Sequence, residues 1–259
     1  MSKVEIKNWD DTRYGDRNFR QGHPKMPNTT MRCCMVAVSG GGKTNTAVDM
    51  CLRYLCWDRL FVFSPSVDQP KWAMMKDITD NMETERDKRA LQFINKFNKN
   101  KPPHKRISIE DLDLQPIAEY NTEVGDFTLD DLRKEDQNLV VLDDIMLDKN
   151  QKQFIELFSR GRHKNTNIMY LSQDWFSIPK NVRRNTNLFM LWGNLPEANI
   201  DMIRRDSGCP MDKKEWRECY KDATKEPFSF IAIDKTKKDM NEQFTRNFND
   251  PLFQMCSTG

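Results

Sequence analysis

The stretch Ala37-Val38-Ser39-Gly40-Gly41-Gly42-Lys43-Thr44 constrains this chain more than any other. An apolar run, Cys33 to Val38, leads into it, and Ala47, Met50, Cys51 and Tyr54 follow at the spacing of one helix face. The order is buried strand, glycine turn, helix. Successive glycines adopt backbone conformations closed to other residues, so their N–H groups can converge on an anion. The start of the following helix adds a favourable field for negative charge. The residues fit the P-loop pattern, with Ala37 in place of the first glycine. On that pattern Ser39, Gly40, Gly41, Gly42, Lys43 and Thr44 would cradle the phosphates of ATP. Lys43 would neutralise phosphate charge, and Thr44 would offer its hydroxyl to Mg²⁺.

A second segment completes such a site. Asn138-Leu139-Val140-Val141-Leu142-Asp143-Asp144 reads as a buried strand ending in two carboxylates. Carboxylates in such a place are costly unless a cation or hydrogen-bond donors meet them. With a P-loop on the same sheet edge, Asp143 would hold Mg²⁺ and Asp144 would orient or deprotonate an attacking water. The other reading is an Asp pair capping a helix or turn. Gln173 ends the next strand, where its amide can donate and accept at once and so sense a γ-phosphate. Between the two strands lies Arg160-Gly161-Arg162-His163-Lys164. An arginine there suits a phosphoryl group on an adjacent subunit, or it is a basic helix end facing its own dipole. Arg183-Arg184 is a second candidate.

Strand and helix patterns alternate along the chain: a strand at Leu60–Phe63, helix over 71–99, a short helix at 128–135, helix over 151–160, a strand over 167–173, a helical turn at 179–185, a strand over 187–192, helices over 196–205 and 211–222, and a late strand over 228–233. Alternation of this kind predicts a mainly parallel central sheet flanked by helices. Residues 1–30 are polar and proline-containing and read as an N-terminal extension or arm, 31–238 as the P-loop domain, and 239–259 as a loose tail. The chain has 259 residues, 37% hydrophobic and 31% charged, with Lys+Arg 41 against Asp+Glu 39. A net charge of +2 makes no global case for nucleic acid, so any such site must be local. No apolar run approaches the ~20 residues of a membrane span, and the polar first residues do not read as a secretory signal. The seven cysteines form no CxxC pair, and His23, His104 and His163 show no metal-ligand spacing. The local basic stretch is 96–106, with Lys99, Lys101, Lys105 and Arg106, broken by Pro102-Pro103. It is either a solvated loop or a contact to double-stranded DNA phosphates.

Taken together, Ala37–Thr44, Leu139–Asp144 and the block from Leu157 through Arg160-Gly161-Arg162-His163 to Tyr170-Leu171-Ser172-Gln173 make the chain similar to a known family. Ile178-Pro179-Lys180 and Arg183 to Asn187 continue the likeness, which covers roughly residues 33–192. The chain resembles the genome-packaging ATPases of large DNA viruses, virophages and Polinton-like elements, in the FtsK–HerA superfamily, with the poxvirus packaging ATPase as an example. The resemblance implies an α/β P-loop NTPase of the RecA-like, additional-strand catalytic-acid class. It implies a homo-oligomeric ring, pentamer or hexamer, with Arg160 or Arg162 acting in trans, and double-stranded DNA driven into a preformed capsid. Capsid or vertex proteins would be partners, in the host cytoplasm or virus factory or with the virion. Asp144 stands where many cellular members carry Glu; its side chain is shorter by one methylene, so its water must sit closer. Two alternatives follow from the same residues: another DNA-translocating or helicase-type motor, or a non-hydrolysing nucleotide-binding structural protein that recognises packaging DNA.

Overall fold

The computed structural model describes residues 19–145 and 151–253. The chain alternates β1 (Arg32–Val36), α1 (Lys43–Arg53), β2 (Arg59–Phe63), α2 (Pro70–Asn98), β3 (Ala118–Asn121), β4 (Asn138–Asp143), α3 (Gln151–Arg160), β5 (Thr166–Ser172), α4 (Lys180–Asn185) and β6 (Leu188–Trp192). It continues through α5 (Glu197–Ser207), α6 (Lys213–Ala223), β7 (Phe230–Asp234), α7 (Met240–Gln243), β8 (Phe244–Arg246) and β9 (Asp250–Pro251). Among the described residues these strands make one sheet in the order β3-β2-β4-β5-β1-β6-β7-β8-β9. The first six in that order pair in parallel; β7, β8 and β9 extend the sheet antiparallel.

This is the mixed α/β fold, a mainly parallel sheet flanked by helices, that the alternation predicts. The strand after the phosphate loop, β1, does not touch β4; β5 lies between them and pairs with both. That interposed strand is what the additional-strand class requires. β4 can be wholly apolar because both sheet faces are covered. Leu139 and Val141 join Met35, Val62, Met169 and Met190 on one face, under α1 and the start of α2. Val140 and Leu142 join Phe61, Phe154, Phe158, Tyr170 and Phe189 on the other. Each such side chain contributes about 1.5–3 kcal/mol by leaving water.

Some elements differ from the sequence reading. The helix expected over 128–135 is one 3-10 turn, Leu129–Asp131, held by a reciprocal Thr128–Asp131 cap. In α2, which the sequence pattern places over 71–99, Ala90, Phe93, Ile94 and Phe97 share a helical face, yet of these only Ile94 is buried; Phe93 and Phe97 are 54% and 39% exposed. β3 had no sequence prediction, being a short, half-exposed edge strand, Ala-Glu-Tyr-Asn. Over 240–253 the expected loose tail is instead part of the sheet: Thr245 pairs with Ala232, and Phe244 and Leu252 are fully buried. Two apolar anchors, Phe244 and Leu252, hold that polar segment against the rest of the sheet. The expected arm also divides. Residues 1–18 and 254–259 lie outside the described residues, while 19–30 lie on their own domain. There Met26 is buried in the core, and Arg20 pairs with Asp58 at 2.6 Å. Among the described residues no helix is long and apolar enough to cross a membrane.

Candidate nucleotide site

Parallel strands expose ligand sites at their carboxyl ends, and the P-loop and the acidic strand end share that edge. The loop turns through Gly40 (φ +75) and Gly42 (φ +107), conformations that favour glycine. Gly41 is fixed for a different reason: a Cβ there would lie 2.8 Å from that of Ala37. The loop closes by Gly41 N–H donating to Val38 O at 3.0 Å, and Gly42 caps α1. Lys43 opens the helix with only 6% of its surface exposed, its ammonium donating to Ala37 O at 3.0 Å. Burial lowers its pKa, while Asp144 and then Asp143 pull it back up.

Thr44 Oγ1 donates to Asp143 Oδ2 at 3.3 Å, a contact that closes 99 positions of chain. Asp143 is buried, and burial pushes its carboxyl above the ordinary carboxylate range. The Trp72 N–H opposes that shift, Asp144 adds to it, and Lys43 and Thr44 oppose it. Trp72 Nε1 donates to Asp143 Oδ2 at 2.8 Å, and Gln69 Nε2 at 3.4 Å. All three donors meet one oxygen. The other, Oδ1, is buried with no hydrogen-bond partner. Asp144 turns out of the strand at φ +53, its N–H donating to Leu171 O. Gln173 Nε2 donates to Asp144 Oδ2 at 3.3 Å, and Asp144 Oδ1 is also buried without a partner.

Two orphaned carboxylate oxygens beside a threonine hydroxyl form a donor set that fits a divalent cation. Magnesium is held by one or two carboxylates together with substrate phosphates, not by an all-protein cage.

The structure therefore brings Ser39, Gly40, Gly41, Gly42, Lys43, Thr44, Asp143, Asp144 and Gln173 to one edge. It does not bring Arg160 or Arg162 there. Arg160 ends α3, exposed and paired with Glu156 at 3.0 Å. Arg162 lies in the 3-10 turn Gly161–Lys164 that precedes β5, near enough to Arg32 at the start of β1 to depress its pKa, after burial. Both sit at the amino edge of the sheet, about 20 Å from Ser172 along the seven residues of β5. Arg183 is held inside its own domain by Asp206 at 3.0 Å. Lys99, Lys101, Lys105 and Arg106 are exposed beyond the far end of α2, where Lys101 lies over the Phe97 ring.

Sequence reasoning missed Trp72 and Gln69. Their contact with Asp143 crosses more than seventy positions, and no local spacing marks it. The only available signal was the requirement itself, that a buried carboxylate finds donors. It also missed the side wall near the loop. Trp192 is buried with its Nε1 unpartnered, and Phe228, read as part of a strand, stands outside it at 71% exposure.

The sequence family described as Poxvirus A32 protein matches residues 104–221, a span that holds β4, the Arg-Gly-Arg-His turn and Gln173. No curated protein matches the chain. Among solved structures, the genome packaging NTPase B204 of Sulfolobus turreted icosahedral virus 2, in complex with ATP-gammaS, is 10% identical with a TM-score of 0.46, covering 85% of this chain and 98% of that one. The N-terminal domain of zonular occludens toxin from Neisseria meningitidis is 10% identical with a TM-score of 0.35, covering 89% and 91%. EssC from Geobacillus thermodenitrificans (ATPases 2 and 3) is 11% identical with a TM-score of 0.35, covering 66% and 33%.

Proposed function

We infer that this protein is a viral genome-packaging ATPase of the FtsK–HerA type, hydrolysing ATP at the β1–β4 edge to drive double-stranded DNA into a preformed capsid. The match to the poxvirus A32 family supports the packaging role. One observation carries the chemistry: Thr44 and Asp143 meet at 3.3 Å, with a free oxygen of each neighbouring carboxylate turned to no protein partner. A glycine turn or an Asp cap alone has no reason to bring these groups together.

Each side chain then has a task. Backbone N–H groups of Ser39 to Thr44 enclose the β- and γ-phosphates. Lys43 gives up Ala37 O to reach them, and its burial makes its charge act in a poorly screened setting. Magnesium, held by Thr44 and Asp143, would supply charge neutralisation of the phosphates. Asp144 takes the proton of an attacking water or orients it, and Gln173 fixes the carboxylate and reports on the γ-phosphate. Arg160 or Arg162 serves the neighbour's nucleotide in a ring. Their place on the edge opposite their own phosphate loop supports action in trans, because a side chain cannot span about 20 Å. In the basic stretch 96–106, the exposed Lys99, Lys101, Lys105 and Arg106 contact the DNA backbone. By this reading residues 31–238 form the ATPase domain, and 240–253 complete its sheet.

Steady-state phosphate release, with and without duplex DNA, tests the assignment. Lys43→Ala and Asp144→Ala each lower turnover about 10²-fold or more. Wild-type turnover in Asp144→Ala removes it as the base, and no turnover in the wild-type protein favours a structural nucleotide-binding role instead.

A further inference from the structure

A cavity of about 840 Å³ opens directly beside the phosphate loop, lined by Val38 to Gly41, Trp192 to Asn194, Tyr220, Thr224 and the 225–229 loop. The phosphate cradle accounts for one wall only. The rest comes from the far side of β1, where β6 ends and β7 begins.

Three features of this cavity have no use in phosphate binding. Phe228 is 71% exposed, the most exposed of the large apolar side chains among the described residues. It is held at φ +64, a conformation bulky residues rarely adopt. Its ring also lies close over the loop: a Cβ at Gly42 would come within 3.4 Å of Phe228 Cδ1 and 3.5 Å of Trp192 Nε1. That indole N–H is buried and has no acceptor. Meanwhile the frame is fixed. Tyr220 Oη donates to Trp192 O and accepts from Leu195 N–H at 3.1 Å, so α6 clamps the β6 exit. Gly193 passes so close to α6 that a Cβ there would lie 3.0 Å from Thr224 O. A framed cavity holding an outward aromatic face and adjoining a triphosphate cradle has the chemistry of a seat for a flat heterocycle.

We propose that this cavity holds the nucleobase of the bound nucleoside triphosphate, stacked on Phe228, so that the 225–229 loop fixes nucleotide affinity from the side opposite the catalytic carboxylates. The proposal rests on the ATPase reading above and adds to it the seat of the base. Stacking on phenylalanine uses the face that every base possesses, so Phe228 contributes affinity with little selectivity.

The test is calorimetric titration of the full chain with ATP and, separately, with inorganic tripolyphosphate, both with magnesium. Tripolyphosphate uses the cradle but carries no base. Phe228→Ala weakens ATP about tenfold and leaves tripolyphosphate unchanged, and Phe228→Trp restores ATP. Unchanged ATP affinity in Phe228→Ala, or equal loss of both ligands, overturns the base seat while the nucleotide reading stands. Failure of the wild-type protein to bind either ligand overturns both. Phe228 is exposed, so the substitution tests binding without disturbing the core.

Discussion

Trp72→Phe tests whether Asp143 is tuned by a hydrogen bond from a residue far away in sequence. Trp72 is fully buried, Asp143 is 1% exposed, and their bond is 2.8 Å long. A hydrogen bond to a buried charged group contributes about 2 kcal/mol, and the smaller ring forfeits about 1 kcal/mol of packing. The expected loss is about 3 kcal/mol, or roughly 6–12 °C in Tm for a domain of this size. The sign on proton binding is also fixed. Burial already raises Asp143's pKa, and the Trp72 N–H holds it down. Without that donor the pKa rises further, so less of the ionised form is present at a given pH. Because the folded value lies above the unfolded one, this group's contribution to stability is present below the ordinary carboxylate range and is lost as pH rises through the folded value. Magnesium-dependent turnover needs the ionised form, so its acid limb moves to higher pH in Trp72→Phe. Denaturation and pH-rate profiles are measured for Trp72→Phe, Asp143→Asn and the double variant. In the Asp143→Asn background the Trp72 substitution costs about 1–2 kcal/mol, since only packing and a neutral bond remain. Equal cost in both backgrounds with an unmoved acid limb refutes the tuning.

Other expectations follow from the same geometry. Mixing Arg160→Ala with Lys43→Ala subunits restores part of the lost hydrolysis if Arg160 serves its neighbour; no recovery at any ratio leaves Arg162 as the candidate, tested the same way. Charge reversal of Lys101 and Lys105 weakens duplex DNA binding roughly tenfold in low salt and flattens its salt dependence, while basal hydrolysis persists; loss of basal hydrolysis refutes the separation. Asp201 is held down to about 2, first by the Arg217 hydrogen bond, with Lys213 assisting. A lowered folded pKa stabilises above the ordinary carboxylate range and is lost as pH falls through the folded value. Arg217→Gln therefore shrinks the acid sensitivity of unfolding between pH 4 and about 2, and an unchanged acid limb in denaturation refutes the pairing.

Legibility in the sequence followed the range of the forces involved. The phosphate loop could be read because its glycines answer a local backbone demand at Gly40 and Gly42. β4 could be read because burial on both faces leaves an unbroken apolar run ending at Asp143. β3 and β8 could not, since a half-exposed edge strand and a polar segment held by Phe244 have no periodic signature. The pattern of α2 was misleading in part. Its Phe93 and Phe97 repeat at helical spacing yet face outward, because spacing fixes which residues share a face and not what covers it. Trp72 was illegible for a third reason: its partner, Asp143, comes within reach only after the sheet has assembled.

α2 begins two residues before Trp72 and runs without a break to Asn98, a length of about 43 Å. Its root touches the carboxylate at the acidic strand end, and its tip carries the cationic loop. A rod pivoted at one end magnifies rotation with distance. A tilt of about 5° at the Trp72 end swings Lys99 through about 4 Å, comparable to the rise of one base pair.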